Sequence, residues 1–184
     1  TTTGFSNSGT LRLQGTETVS FSVNDTDSGT WEYYGDGTAL QTTQTIKDFG
    51  NTDYYALKIY DTSASNQDTF RTSATLNASS TVTVASSTLD ISTNSNLLIL
   101  DGILTVSGGT LTATNGTIDA NSDVVISSGT LTAPSGNFNV AGGWAHTNGT
   151  FTHSNGTVTF DTSSTPVIEN STDETFYNLI ISIK

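Results

Sequence analysis

Residues able to do chemistry are few and scattered in this chain of 184 residues. His146 and His153 occupy different positions of the local repeat. With no cysteine in the chain and no third nitrogen donor nearby, they do not compose a zinc ligand set and read as two partly exposed imidazoles. Glycosidic hydrolysis needs a close pair of carboxylates. Asp90, Asp101, Asp119, Asp123 and Asp161 do not fall in one column of the repeat, and the only arginines, Arg12 and Arg71, stand far apart. The expectation is therefore no enzyme, with no catalytic residue, no metal centre and no cofactor. Asp25-Thr26-Asp27 and Asp36 offer oxygen ligands for weak calcium binding at most, since the Gly-Gly-x-Gly-x-Asp nonapeptide of calcium-loaded coils is missing. Their ordinary reading is a solvated acidic turn. The most regular polar feature is threonine: Thr110 and Thr112, Thr130 and Thr132, Thr150 and Thr152 recur as Thr-x-Thr.

Those threonines are positioned by a repeat of about twenty residues between 109 and 160. GTLTATNGTIDA, GTLTAPSGNFNV and GTFTHSNGTVTF align, so that Leu111, Leu131 and Phe151 share one column. Ile118, Phe138 and Val158 form a second, and Ala120, Val140 and Phe160 a third. Polar residues flank each apolar one, the period of two that a strand with one buried face requires. Three short strands per interval can wind once round a parallel coil and set equivalent residues about 4.8 Å apart along the axis. The columns then stack as a core, the flanking threonines point outward as two ladders, and the glycines of Gly109, Gly129, Gly149 and of Gly116, Gly136, Gly156 sit at corners that favour positive φ. No single coil buries its own apolar face, so neighbours must stack.

Composition agrees with a β-rich surface protein. Apolar residues are only 33%, and Ser plus Thr make up about one residue in three, yet alternation and β-branching argue against disorder. A net charge of −12 with five basic residues repels a phosphate backbone, which excludes nucleic acid as a partner. No apolar run reaches membrane-span length and no secretion signal stands at the start, so any leader is expected outside this sequence. Zero cysteine and zero methionine fit an exported, extracellular location. Sequons at Asn24, Asn77, Asn115, Asn148, Asn155 and Asn170 follow from the abundance of Asn, Ser and Thr.

Along the chain, residues 1–61 read as a β-rich segment, 62–69 as a polar linker and 70–184 as the solenoid. The run 97–100 is continuously apolar, which fits a strand buried on both sides or a corner. A longer echo is also present. GTWEYYGDG and DYYALKIYD near the start return as GTVTFDTSS and TFYNLIISI near the end, about 120 to 130 residues later. Trp31 and Tyr33 then match Val158 and Phe160, while Tyr55, Leu57 and Ile59 match Tyr177, Leu179 and Ile181.

GGWAHTNGTFTHSNGTVTFD followed by TFYNLIIS resembles the repetitive β-helical regions of large bacterial cell-surface proteins. The residues that carry it are Gly142, Gly143, Trp144, 149–151, 156–160 and 177–181. The likeness covers roughly 102–183, with a degenerate echo over 29–59. It implies an exported stalk, adhesin or filament, and no ligand. The expected fold is all-β, a right-handed parallel β-helix with a flanking β-rich segment, its hand taken from the general crossover preference. The expected partners are further copies or tandem modules, joined through a strand carrying Tyr177, Leu179, Ile181 and Ile183. Regular Thr-x-Thr arrays also resemble those of ice-binding proteins, so a glycan- or ice-binding module is the alternative.

Overall fold

The computed structural model describes residues 4–38, 40–63, 65–171 and 173–184; positions 1–3 of the first segment and 64 of the expected linker lie outside the described residues. No helix occurs among the described residues. The first half supplies β1 (Thr10–Leu13), β2 (Thr30–Tyr33), β3 (Thr43–Thr45), β4 (Ala56–Ile59), β5 (Thr69–Arg71), β6 (Leu76–Ala78), β7 (Val82–Val84), β8 (Thr88–Asp90) and β9 (Leu97–Leu100). The second supplies β10 (Leu104–Thr112), β11 (Thr117–Ala120), β12 (Val124–Thr132), β13 (Asn137–Val140), β14 (Trp144–His146), β15 (Thr150–Thr152), β16 (Thr157–Phe160), β17 (Ile168–Asn170) and β18 (Asn178–Ile181). Every pairing among them is parallel.

The chain is a β-solenoid of about eight turns with three faces. Face one runs β1-β2-β4-β7-β10-β12-β14-β17. Face two runs β3-β5-β8-β10-β12-β15, and face three β6-β9-β11-β13-β16-β18. The long strands β10 and β12 serve faces one and two in turn, with register shifts between Val106 and Thr110 where the coil bends.

Columns of identical orientation fill the interior. Leu111 pairs with Leu131 and Leu131 with Phe151. Ile118, Phe138 and Val158 stand in register, as do Ala120, Val140 and Phe160. Apart from half-buried Phe151 these side chains are buried. Each large one contributes roughly 1.5–3 kcal/mol of apolar transfer. The 97–100 strand alternates like the others, with Leu98 and Leu100 buried and Leu97 and Ile99 half-exposed, because it stacks in the face-three column rather than between two layers.

The segment 1–61 is continuous with this stack: β2 pairs with β4, and β4 pairs with β7. Residues 60–68 connect β4 to β5, and of the expected linker 62–69 Ser63 and Asp68 are buried while Thr69 opens β5. The two copies of the longer echo fall on different faces. Trp31 stacks on Leu57 in face one, whereas Val158 stacks on Leu179 in face three, so the echo repeats a two-rung element and not one position of the coil. The glycine columns also differ from expectation. Of the six, only Gly129 and Gly149 adopt positive φ. Gly156 is there for room instead, since a Cβ would lie 2.1 Å from the Pro134 carbonyl oxygen one coil away.

Candidate functional site

Three surfaces carry the candidate residues, and the carboxy-terminal coil is the first. β17 pairs only with β14 and β18 only with β16 among the described residues, so both leave an outer edge unpaired. Ile168 continues the interior column below Trp144, and Leu179 and Ile181 continue those below Val158 and Phe160. Elsewhere these columns are dry apart from half-buried Leu11 in the first coil, but here Ile168, Leu179 and Ile181 are 37%, 43% and 53% exposed. Tyr177 and Ile183, both exposed, flank the strand, and the Tyr177 ring lies 5.5 Å from that of His153.

A plug partly closes this end. Phe176 contacts the rings of Trp144, Phe151 and Phe160 at 5.4, 5.6 and 6.5 Å. Its loop is held by Glu174, whose Oε2 accepts the Trp144 indole N–H at 2.9 Å and lies 2.8 Å from His146 Nδ1, the donor to a carboxylate. His146 is thus buried, correcting the expectation of partial exposure, because it sits on the inward side of β14 below Ile126. Glu174 was invisible in the sequence: it lies 28 residues from His146, beyond the excursion that follows β16.

The second surface is face two. Thr110, Thr130 and Thr150 stand in register, as do Thr112, Thr132 and Thr152. The first column runs on through Thr88, Thr69 and Thr43, giving six threonines on six successive rungs. Its neighbour is interrupted by Arg71 and Asp90, whose side chains pair at 3.0 Å between Thr45 and Thr112. Burial pushes Asp90 up, but the hydrogen bonds from Thr93 and Arg71 outweigh it and hold its carboxyl below the ordinary range.

The third is a charged column on the outside of face one: Arg12, Glu32 and Lys58 occupy adjacent rungs. Glu32 accepts from Arg12 Nε at 2.7 Å and from Lys58 Nζ at 2.8 Å. Burial acts to raise its pKa, yet the two cations leave it below the usual carboxylate range. The column continues through Thr83, Thr105, Val125 and Ala145 and ends on exposed Glu169.

The other candidates are spread out. Asp101 and Asp161 share a corner column, following Leu100 and Phe160, while Asp90, Asp119 and Asp123 lie off it. The aligned two stand three rungs apart, about 14 Å by sheet geometry, with Asn121 and Ala141 between. Asp101 accepts from Asn121 and Asp161 from Lys184. Asp123 binds the Gly143 N–H beside a groove of about 400 Å³ that also includes Glu169 and Pro166. Asp119 projects from the outer side of β11. The carboxylate of Asp25 takes hydrogen bonds from Ser6, Asn7, Asp27 and Ser28, which hold it well below its ordinary value, the Asp27 bond foremost. Asp36 accepts from Thr38. Among the described residues no three acidic or histidine side chains are grouped to hold a metal ion. Of the sequons, Asn24 has its amide engaged with the Asp53 carbonyl, whereas Asn115, Asn148, Asn155 and Asn170 are exposed at corners or the last coil.

No family model, curated protein or solved structure matches this chain.

Proposed function

We propose that this chain is a structural, non-enzymatic repeat unit of an extracellular stalk, filament or sheath, extended end to end by stacking one coil on the next. The observation that supports it is the carboxy-terminal coil, where three interior columns stand exposed in register with a dry core. Among the described residues, seven of the ten exposed large apolar residues lie between 167 and 183, so apolar exposure is concentrated at one end. Unpaired strand edges and apolar columns together are a template for further pairing. Calcium plays no part in this reading beyond weak binding at acidic turns. Negative-stain microscopy of the assembled material tests it: particles of one width and variable length are expected. Deleting residues 177–184 should shorten them to single units while the central coils persist in circular dichroism. Full-length particles from the deleted chain would contradict the reading.

The six-rung threonine column favours a second reading, a binding module whose flat face two meets an ordered surface such as ice or a polysaccharide. Replacing Thr130 and Thr132 with Lys would then abolish ice shaping or glycan retention without changing the melt. A wild-type chain that neither shapes ice nor is retained on glycans disposes of it.

A further inference from the structure

We infer that the partner at the open end is a second copy of this chain, stacked head to tail so that β17 of one copy lies on β1 of the next and Glu169 pairs with Arg12 across the junction. This rests on the stacking reading above and adds its polarity, register and charge pair.

Three observations converge. First, β17 and β1 are the two ends of the same sheet, and neither has a strand on its outer side among the described residues. Continuing the face-one register by one rung sets Ile168 on Leu11 and Asn170 on Leu13. Second, both ends are apolar. The tail offers exposed Ile168, Leu179 and Ile181; the head offers a layer of half-buried Phe5, Leu11, Leu13 and Phe21, with Phe5 and Phe21 stacked at 4.8 Å over Trp31. Third, the same rung places Glu169 beside Arg12. The molecule already uses this arrangement one rung inside, where Glu32 binds Arg12 and Lys58 from the neighbouring coils. Arg12 spends its Nε on Glu32, stacks over Tyr34 at 4.6 Å and remains 51% exposed, so a guanidinium with five N–H donors has capacity for a second carboxylate.

Electrostatics then sets the conditions. Each copy carries −12, so unscreened copies repel, but at 0.15 M salt that repulsion decays over about 8 Å. A pair one rung apart, about 4.8 Å, is screened less. Tail-to-tail or head-to-head contacts would oppose like charges at Glu169 or Arg12, which disfavours them.

The test is sedimentation velocity at 0.15 M salt on the wild-type chain, on Glu169→Arg, on Arg12→Glu, and on an equal mixture of the two variants. The wild type should form a concentration-dependent series. Each variant alone opposes like charges at every junction, so its half-assembly concentration should rise at least about tenfold. The mixture should restore assembly, because both junctions of an alternating stack then pair opposite charges. Arg12→Gln covers the case in which Arg12→Glu disturbs β1, seen as a lost melt; it should weaken assembly less than Glu169→Arg. Variants that assemble like wild type, or a mixture that stays dispersed, overturn the polarity and the pair while leaving the stacking reading standing. A wild-type chain monomeric at every concentration overturns both.

Discussion

Between residues 104 and 144 each coil takes 20 residues on face one, whereas from Leu11 to Leu104 successive steps take 20, 26, 25 and 22. The regular coils hold themselves by columns: a buried residue meets its equivalent above and below. The longer ones must place their surplus residues somewhere, and side-chain carboxylates fix those excursions. Asp68 accepts from Asp36 N, Thr42 N and Thr42 Oγ1; Asp61 accepts from Ser63 N and Asp68 N; Asp53 accepts from Phe49, Gly50 and Asn77. All three carboxylates are buried. Repetition needs only apolar columns, while departure from repetition needs specific polar pins.

The largest blow to the regular half is Leu131→Asp, which buries an unpaired charge between Leu111 and Phe151. It should cost on the order of 4 kcal/mol or more, a fall of roughly 10 °C in the melt. A melt within about two degrees of wild type would break the column account. In the pinned half, Asp68→Ala leaves the donors of Asp36 and Thr42 unpaired and should cost about 2–3 kcal/mol. Hydrogen exchange should localise its effect to 34–45 and 60–71, with 104–160 unchanged. Spread of the loss into the regular coils would show that the halves are not separable.

Acid should distinguish the halves more gently. Glu32 and Asp90 are held below their ordinary values of 4.5 and 3.8, so their contribution is present above those values and lost as pH falls through the folded-state pKa. Asp53 has the opposite sign. Burial raises it above 3.8, so its contribution is present below that value and lost as pH rises through its raised pKa. Hydrogen exchange between pH 7 and 3 should therefore show β1, β2, β4 and β8 loosening below about pH 4.5, in Asp53→Asn as in wild type. The same variant should be stabilised relative to wild type at pH 7 only if its three N–H donors keep an acceptor. Smallest of all, Thr130→Val on the outer face should move the melt by no more than about 0.5 kcal/mol equivalent.

The same contrast explains what could be read from the sequence. The columns through Leu131, Phe138 and Val140 were legible because the interval is constant and each residue aligns with its equivalent. Thr43, Thr69 and Thr88 belong to the ladder of Thr110, yet excursions of unequal length shift them out of any fixed interval. Residues 62–69 read as a polar linker because a buried aspartate that accepts backbone N–H groups has the same letter as a solvated one. The pairing of His146 with Glu174 depends on where a loop returns, which no periodicity encodes.

The central claim is that the exposed columns at β17 and β18 are a stacking surface. Static light scattering across a concentration series at 0.15 M salt tests it most directly. The account predicts a weight-average mass that starts at 19.2 kDa and climbs steadily with concentration, and that stays at one unit when residues 177–184 are removed. A mass fixed at 19.2 kDa for the whole chain throughout the series would contradict it.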